Sequence, residues 1–88
     1  MFRLWGKLFN KGRMLRDTVI EKDDPATSRT ARILDSLEEI CYEFDLSRPI
    51  WLEVSIRDFQ IHDKVKFTAD NFMEEIDFDY LEIQVIEG

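Results

Sequence analysis

Apolar residues recur along this chain with two distinct periods. From Arg13 to Glu21, Leu15, Asp17, Val19 and Glu21 alternate with Met14, Arg16, Thr18 and Ile20. Over Phe78 to Ile86, Leu81, Ile83 and Val85 alternate with Tyr80, Glu82 and Gln84. A period of two sends successive side chains to opposite faces, so both stretches are predicted to be strands. Between them, Ile33, Leu34, Leu37, Ile40, Cys41 and Phe44 recur at spacings of three and four, the stripe of an amphipathic helix over about Thr27 to Phe44.

Punctuation along the chain sharpens these boundaries. Phe9, Asn10, Lys11, Gly12 and Arg13 read as a tight hairpin connection, with Gly12 able to take positive φ, so a strand over Phe2 to Phe9 should pair with the one that follows. Phe2, Trp5 and Phe9 also fit a helical spacing, which leaves the first element open between strand and helix. Asp24 followed by Pro25 is suited to start the helix, and Asp45, Ser47 and Pro49 to end it. Ile50, Leu52 and Val54 alternate with Trp51 and Glu53 as in a short strand, while Ser55 and Asp58 suit the cap of a brief helix. Val65 and Phe67 suggest another strand, and Thr68 to Glu75 a short helical turn. A hairpin, one main helix and a strand-rich second half together predict an α+β fold of two layers, a mainly antiparallel sheet with the helix packed on it.

At 88 residues the chain is expected to form one domain around one core, and 44% hydrophobic residues with few glycines and prolines supply the material for it. Charged residues interrupt every apolar run before it reaches membrane-spanning length. The lone Cys41 and the lack of a signal-like leader point to a reducing cytoplasm. A net charge of -7 opposes long-range attraction to phosphate backbones. The charge is uneven: Arg3, Lys7, Lys11, Arg13 and Arg16 occur before any acid, and after Lys66 only acids remain.

Several residues invite chemistry, and each has a plainer reading. His62 lies four residues after Asp58 and beside Asp63, as a base oriented by a carboxylate would, but no nucleophile accompanies it; a surface pair on a short helix accounts for the same spacing. Cys41 falls inside the apolar stripe among Glu38, Glu39 and Glu43, a setting for a structural thiol rather than a reactive one. Asp70, Asn71, Glu74, Glu75, Asp77 and Asp79 supply hard oxygen atoms, yet without the spacing and glycine of a calcium loop; a solvated acidic edge explains them. No zinc spacing, glycine-rich phosphate loop or hydrolase triad order occurs, so neither catalysis nor a cofactor is expected.

Two surfaces remain as binding candidates. The helix stripe turns Tyr42 outward with Asp35, Glu38 and Glu39, a tyrosine ringed by carboxylates that suits a protein partner. The alternative is the basic aromatic segment of Arg3, Trp5, Lys7, Lys11 and Arg13, composed like a nucleic-acid or membrane-surface binder. Against it, the hairpin can pair with the acidic closing strand, neutralising its cations across the ladder while its aromatics pack under the helix. The open edges of so small a sheet further suggest a homodimer; the alternative is a monomer in which the N-terminal aromatics, Trp5 above all, cover the second face of the sheet.

The stretches LRDTVIEKDD, LEEICYEFDLSRPIWL and FDYLEIQVIE resemble those of a group of short uncharacterised bacterial proteins, over nearly the whole length. The resemblance implies an intracellular bacterial protein and carries over no site residues. On these grounds the expected function is a non-enzymatic interaction module presenting an acidic helix face.

Overall fold

A computed structural model describes residues 1–88. Its elements run β1 (Phe2–Asn10), β2 (Arg13–Lys22), α1 (Arg29–Glu43), α2 (Glu53–His62), β3 (Lys64–Phe67) and β4 (Tyr80–Glu87), with a single 3-10 turn at Ala69–Asn71. The strands form one antiparallel sheet in the order β2-β1-β4-β3. The protein is therefore α+β, with two helices rather than one main helix.

β1 and β2 are joined by Lys11 and Gly12, both at positive φ (54° and 75°), the signature of a two-residue hairpin turn. The ladder slips between Leu8 and Phe9, where Arg16 and Met14 are the respective partners and Leu15 is the extra residue of a bulge. β1 resolves as a strand because its even positions, Phe2, Leu4, Gly6 and Leu8, are all buried. Gly6 is required there: a Cβ would lie 2.7 Å from Ile40 Cγ2. Helix α1 thus approaches the strand closely enough to exclude even a methyl group.

The core is one cluster to which α1 gives Ile33, Leu37, Ile40 and Cys41, α2 gives Phe59, and the strands give Phe2, Leu4, Leu8, Val65, Phe67, Leu81 and Ile83. Helix α1 begins two residues later than its stripe suggests. Ser28, not Asp24, is its cap, accepting from the Ala31 N–H at 3.1 Å. Asp24 instead closes a turn of its own, accepting from the Ala26 N–H and the Thr27 hydroxyl, and these hydrogen bonds hold its carboxyl below the ordinary range.

The second half departs further from expectation. Ile50, Leu52 and Val54 form no strand: the Ile50 backbone bonds to Asn71 instead of a sheet edge, Leu52 caps α2 and Val54 already lies in it. The buried Asn71 donates to the Ile50 carbonyl (2.9 Å) and to Ser55 Oγ (3.0 Å), while its own carbonyl accepts from the Ile50 N–H. Ser55 is thereby drawn into the interior of α2, whose N-cap is Leu52. Of the helical turn expected over Thr68 to Glu75 only the 3-10 segment forms, closed by reciprocal bonds between Thr68 and Asn71. The closing strand starts at Tyr80 rather than Phe78, which is buried beside Phe72 in the preceding loop.

Candidate functional site

The outer side of α1 follows from its stripe. With Ile33, Leu37, Ile40 and Cys41 buried, Asp35, Glu38, Glu39 and Tyr42 project to solvent, and Tyr42 is 87% exposed. β2 runs alongside and supplies the few groups that touch this face. Lys22 pairs with Glu39, and the Thr18 hydroxyl donates to Glu43 at 2.9 Å. Arg48 approaches Glu38 at 3.9 Å from the far side. The four residues picked out by helical phase therefore do share one surface, a shallow acidic groove between α1 and β2 in which Ile20 is the apolar floor. Carboxylates around an exposed phenol can hold cationic and hydrogen-bonding groups; nothing here provides a nucleophile.

The basic N-terminal segment is dispersed and largely neutralised. Arg3 lies 3.4 Å from Glu21 and 3.7 Å from Glu87, acids of both neighbouring strands. Lys7 pairs with Glu82 at 2.7 Å, with side-chain exposures of only 10% and 11%, donates to Gln84 and lies 4.0 Å from the Trp5 ring centre. Trp5 in turn donates through Nε1 to Asp17. Opposite charges do meet across the ladder, but the aromatics divide: Phe2 enters the core, whereas Trp5 and Phe9 lie on the other side of β1. Phe9 stacks on Tyr80 there at 5.1 Å. Lys11 and Arg13 sit exposed at the hairpin end, away from that network, with the Lys11 N–H bound to Asp79.

Asp58 and His62 both lie on α2 and are exposed, and Asp63 accepts from Arg29 rather than from the imidazole. Burial pushes the Cys41 thiol up to about 11, with Glu38 adding to the shift and Arg48 opposing it. Low dielectric, more than the neighbouring acids, thus raises this thiol. No three His, Cys, Asp or Glu side chains converge as metal ligands would, and Asp77 and Asp79 fall in a loop rather than on one side of a strand. No helix is long and apolar enough to cross a membrane.

One surface has no counterpart in the sequence reading. A trough of about 490 Å³ separates α1 from α2, lined by Ile33, Leu34, Trp51, Ile56 and Phe59. The spacing of Leu52, Ile56 and Phe59 carries a helical signal for its α2 wall, masked by the overlapping alternation of Ile50, Leu52 and Val54.

Fold and surface together define a small α+β domain whose distinctive features are an acidic helix face on the β2 side of α1 and an apolar trough on its α2 side. No protein-family model, curated protein or solved structure matches the chain.

Proposed function

We propose that this domain is a non-enzymatic protein-interaction module of the bacterial cytoplasm, a two-layer α+β unit that presents the acidic outer face of α1 to another protein. One observation carries the reading: Asp35, Glu38 and Glu39 surround Tyr42, which stands almost wholly in solvent. Tyrosine supplies broad contact area at small entropic cost, and the carboxylates around it favour a cationic counterpart. The cations of β1 support the same choice over a nucleic-acid reading, since Arg3 and Lys7 are already engaged by acids of the sheet.

The test is capture from bacterial extract on the immobilised domain, beside a variant carrying Asp35→Lys, Glu38→Lys and Tyr42→Ala. These residues are exposed, so the variant should melt with the parent. A partner held by the parent and lost by the variant is the expected result. Equal capture by both proteins would refute the assignment of this face.

A further inference from the structure

The sheet ends on two unequal edges. β3 is only four residues long and lies against α2, whereas β2 is ten residues long and pairs with β1 alone. The two-residue turn makes Asn10 and Arg13 a mutually bonded pair, so every second residue back along β1, at Leu8, Gly6 and Leu4, aims its backbone groups at Arg16, Thr18 and Ile20. Phe9 faces the other way, and its carbonyl accepts from the Asp79 N–H. The intervening β2 residues Asp17, Val19 and Glu21 therefore point their N–H and C=O groups outward, where nothing in the fold bonds them. The bulge at Leu15 confines this open ladder to residues 16–22, a stretch without proline or glycine.

The same edge borders the acidic groove. Thr18, Ile20 and Lys22 sit on the α1 side of β2, opposite Gly6, Leu4 and Phe2. Helix α1 lines the groove above them with four carboxylates, among which Lys22 is the sole cation. Asp35 makes no ion pair. On the other face of the edge, Asp17 and Glu21 flank Val19, which is 42% exposed. A strand laid against β2 directs every second side chain into the groove and the others beside Val19.

Charge decides what that strand can be. A second copy pairing antiparallel through β2 would bring both α1 helices to one face of the joined sheet, with their acidic flanks turned toward each other. The groove thus repels the chain's own edge and favours a cationic one. We infer that the β2 edge is completed by an extended segment of a partner protein with lysine or arginine at alternate positions. Its backbone bonds to Asp17, Val19 and Glu21, and its cations lie beneath α1 against Asp35 and Glu39. This rests on the interaction reading above and names how the partner is held: the backbone supplies the ladder, and the groove selects the charge.

The probe is a labelled peptide of about nine residues, within ordinary strand length, in which lysine alternates with threonine. Beside it are a glutamate–threonine peptide and two N-methylated forms of the lysine peptide, with alternate amides blocked in one phase or the other, so that each has lost one backbone edge. Fluorescence polarisation follows affinity, and amide hydrogen exchange locates the contact. The lysine peptide should saturate and slow the exchange of the Asp17, Val19 and Glu21 amides. One N-methylated form should bind as the unmethylated peptide does, and the other should lose at least about tenfold. In the protein, Val19→Pro removes an outward N–H and no bond to β1, and Asp35→Lys/Glu39→Lys reverses the groove's charge. Each should weaken binding at least about tenfold with parent-like melting. If Val19→Pro lowers the melting temperature, the N-methylated peptides decide the question on the unaltered protein.

Absence of saturable binding, equal binding of both N-methylated forms, or unprotected amides at Asp17, Val19 and Glu21 would overturn the strand pairing while leaving the acidic-face reading intact. Equal binding of the glutamate peptide, or binding that survives Asp35→Lys/Glu39→Lys, would overturn the cationic partner. Concentration-dependent self-association abolished by Val19→Pro would assign the edge to a second copy and refute the inference. If the peptides behave as expected but extract capture is indifferent to the variant of Asp35, Glu38 and Tyr42, the edge stands and the earlier reading falls.

Discussion

The two sides of β1 are held by different physics. On one, Leu4, Gly6 and Leu8 press against the core, and stabilisation scales with apolar area removed from water. On the other, Lys7 and Glu82 are nearly as inaccessible, yet they are enclosed by Trp5, Asp17, Gln84 and each other rather than by a helix. A charge taken out of water requires its partner to be in place, so removing one member costs more than the pair contributes. The first side therefore resists any polar intrusion. The second is sensitive to unpaired change and tolerant of paired change.

The most damaging way to challenge this contrast is Leu37→Asp. A carboxylate in the α1 stripe has no cation within the cluster, and the cost of several kcal/mol approaches the whole stability of a domain this small. Loss of the cooperative thermal transition is expected, and a parent-like melt would refute the core assignment.

Cys41 probes the same side by pH. Its thiol titrates near 11 in the folded state against an ordinary 9.0, so between these values the folded chain holds a proton that the unfolded chain has released. Stability from this group is complete below pH 9.0 and is lost as pH rises toward 11. The two-unit difference corresponds to about 3 kcal/mol. Urea titrations from pH 8 to 11 should therefore show a steeper alkaline decline for the parent than for Cys41→Ala. Identical slopes would show that the thiol is not desolvated.

On the other side, Lys7→Ala should cost about 2 kcal/mol by leaving Glu82 unpaired, whereas the double change Lys7→Met/Glu82→Leu should remain within about 1 kcal/mol of the parent. Chemical denaturation of the three proteins decides this, and a double variant no more stable than Lys7→Ala would show that the loss does not come from an unpaired Glu82. The smallest effect belongs to Asp17→Asn, which weakens only an exposed hydrogen bond to Trp5 and should shift stability by less than about 0.5 kcal/mol. Tryptophan emission should still respond, since the indole loses its charged acceptor.

How much of this was legible varies with how local the signal is. The hairpin turn, the phase of α1 and the alternation of Leu81, Ile83 and Val85 are each written within a few residues, and the acidic face follows from the phase of α1. The side on which Trp5 lies was readable in principle from the parity of Phe2, Leu4, Gly6 and Leu8. The helical spacing of Phe2, Trp5 and Phe9 obscured it. Ser55 and Asp58 do announce a brief helix, but the start of α2 at Glu53 is hidden because Ile50 to Val54 alternates like a strand, and Ile50 is held by Asn71, twenty-one residues away. The trough requires two helices to be placed relative to each other, which no single window of sequence contains.

The pairing of β1 with β4 also sets the order in which the protein can form. The hairpin closes through a two-residue turn and needs nothing distant, but Lys7 meets Gln84 across 77 positions of chain. Loop closure on that scale makes folding slow relative to a helical bundle, with the central ladder formed late in the search. On the ribosome, β1 therefore emerges long before its second neighbour is synthesised. During that interval the β1 edge of the hairpin is bare as well as its β2 edge, and the cations Arg3 and Lys7 make β1 a poorer template for pairing with another nascent chain.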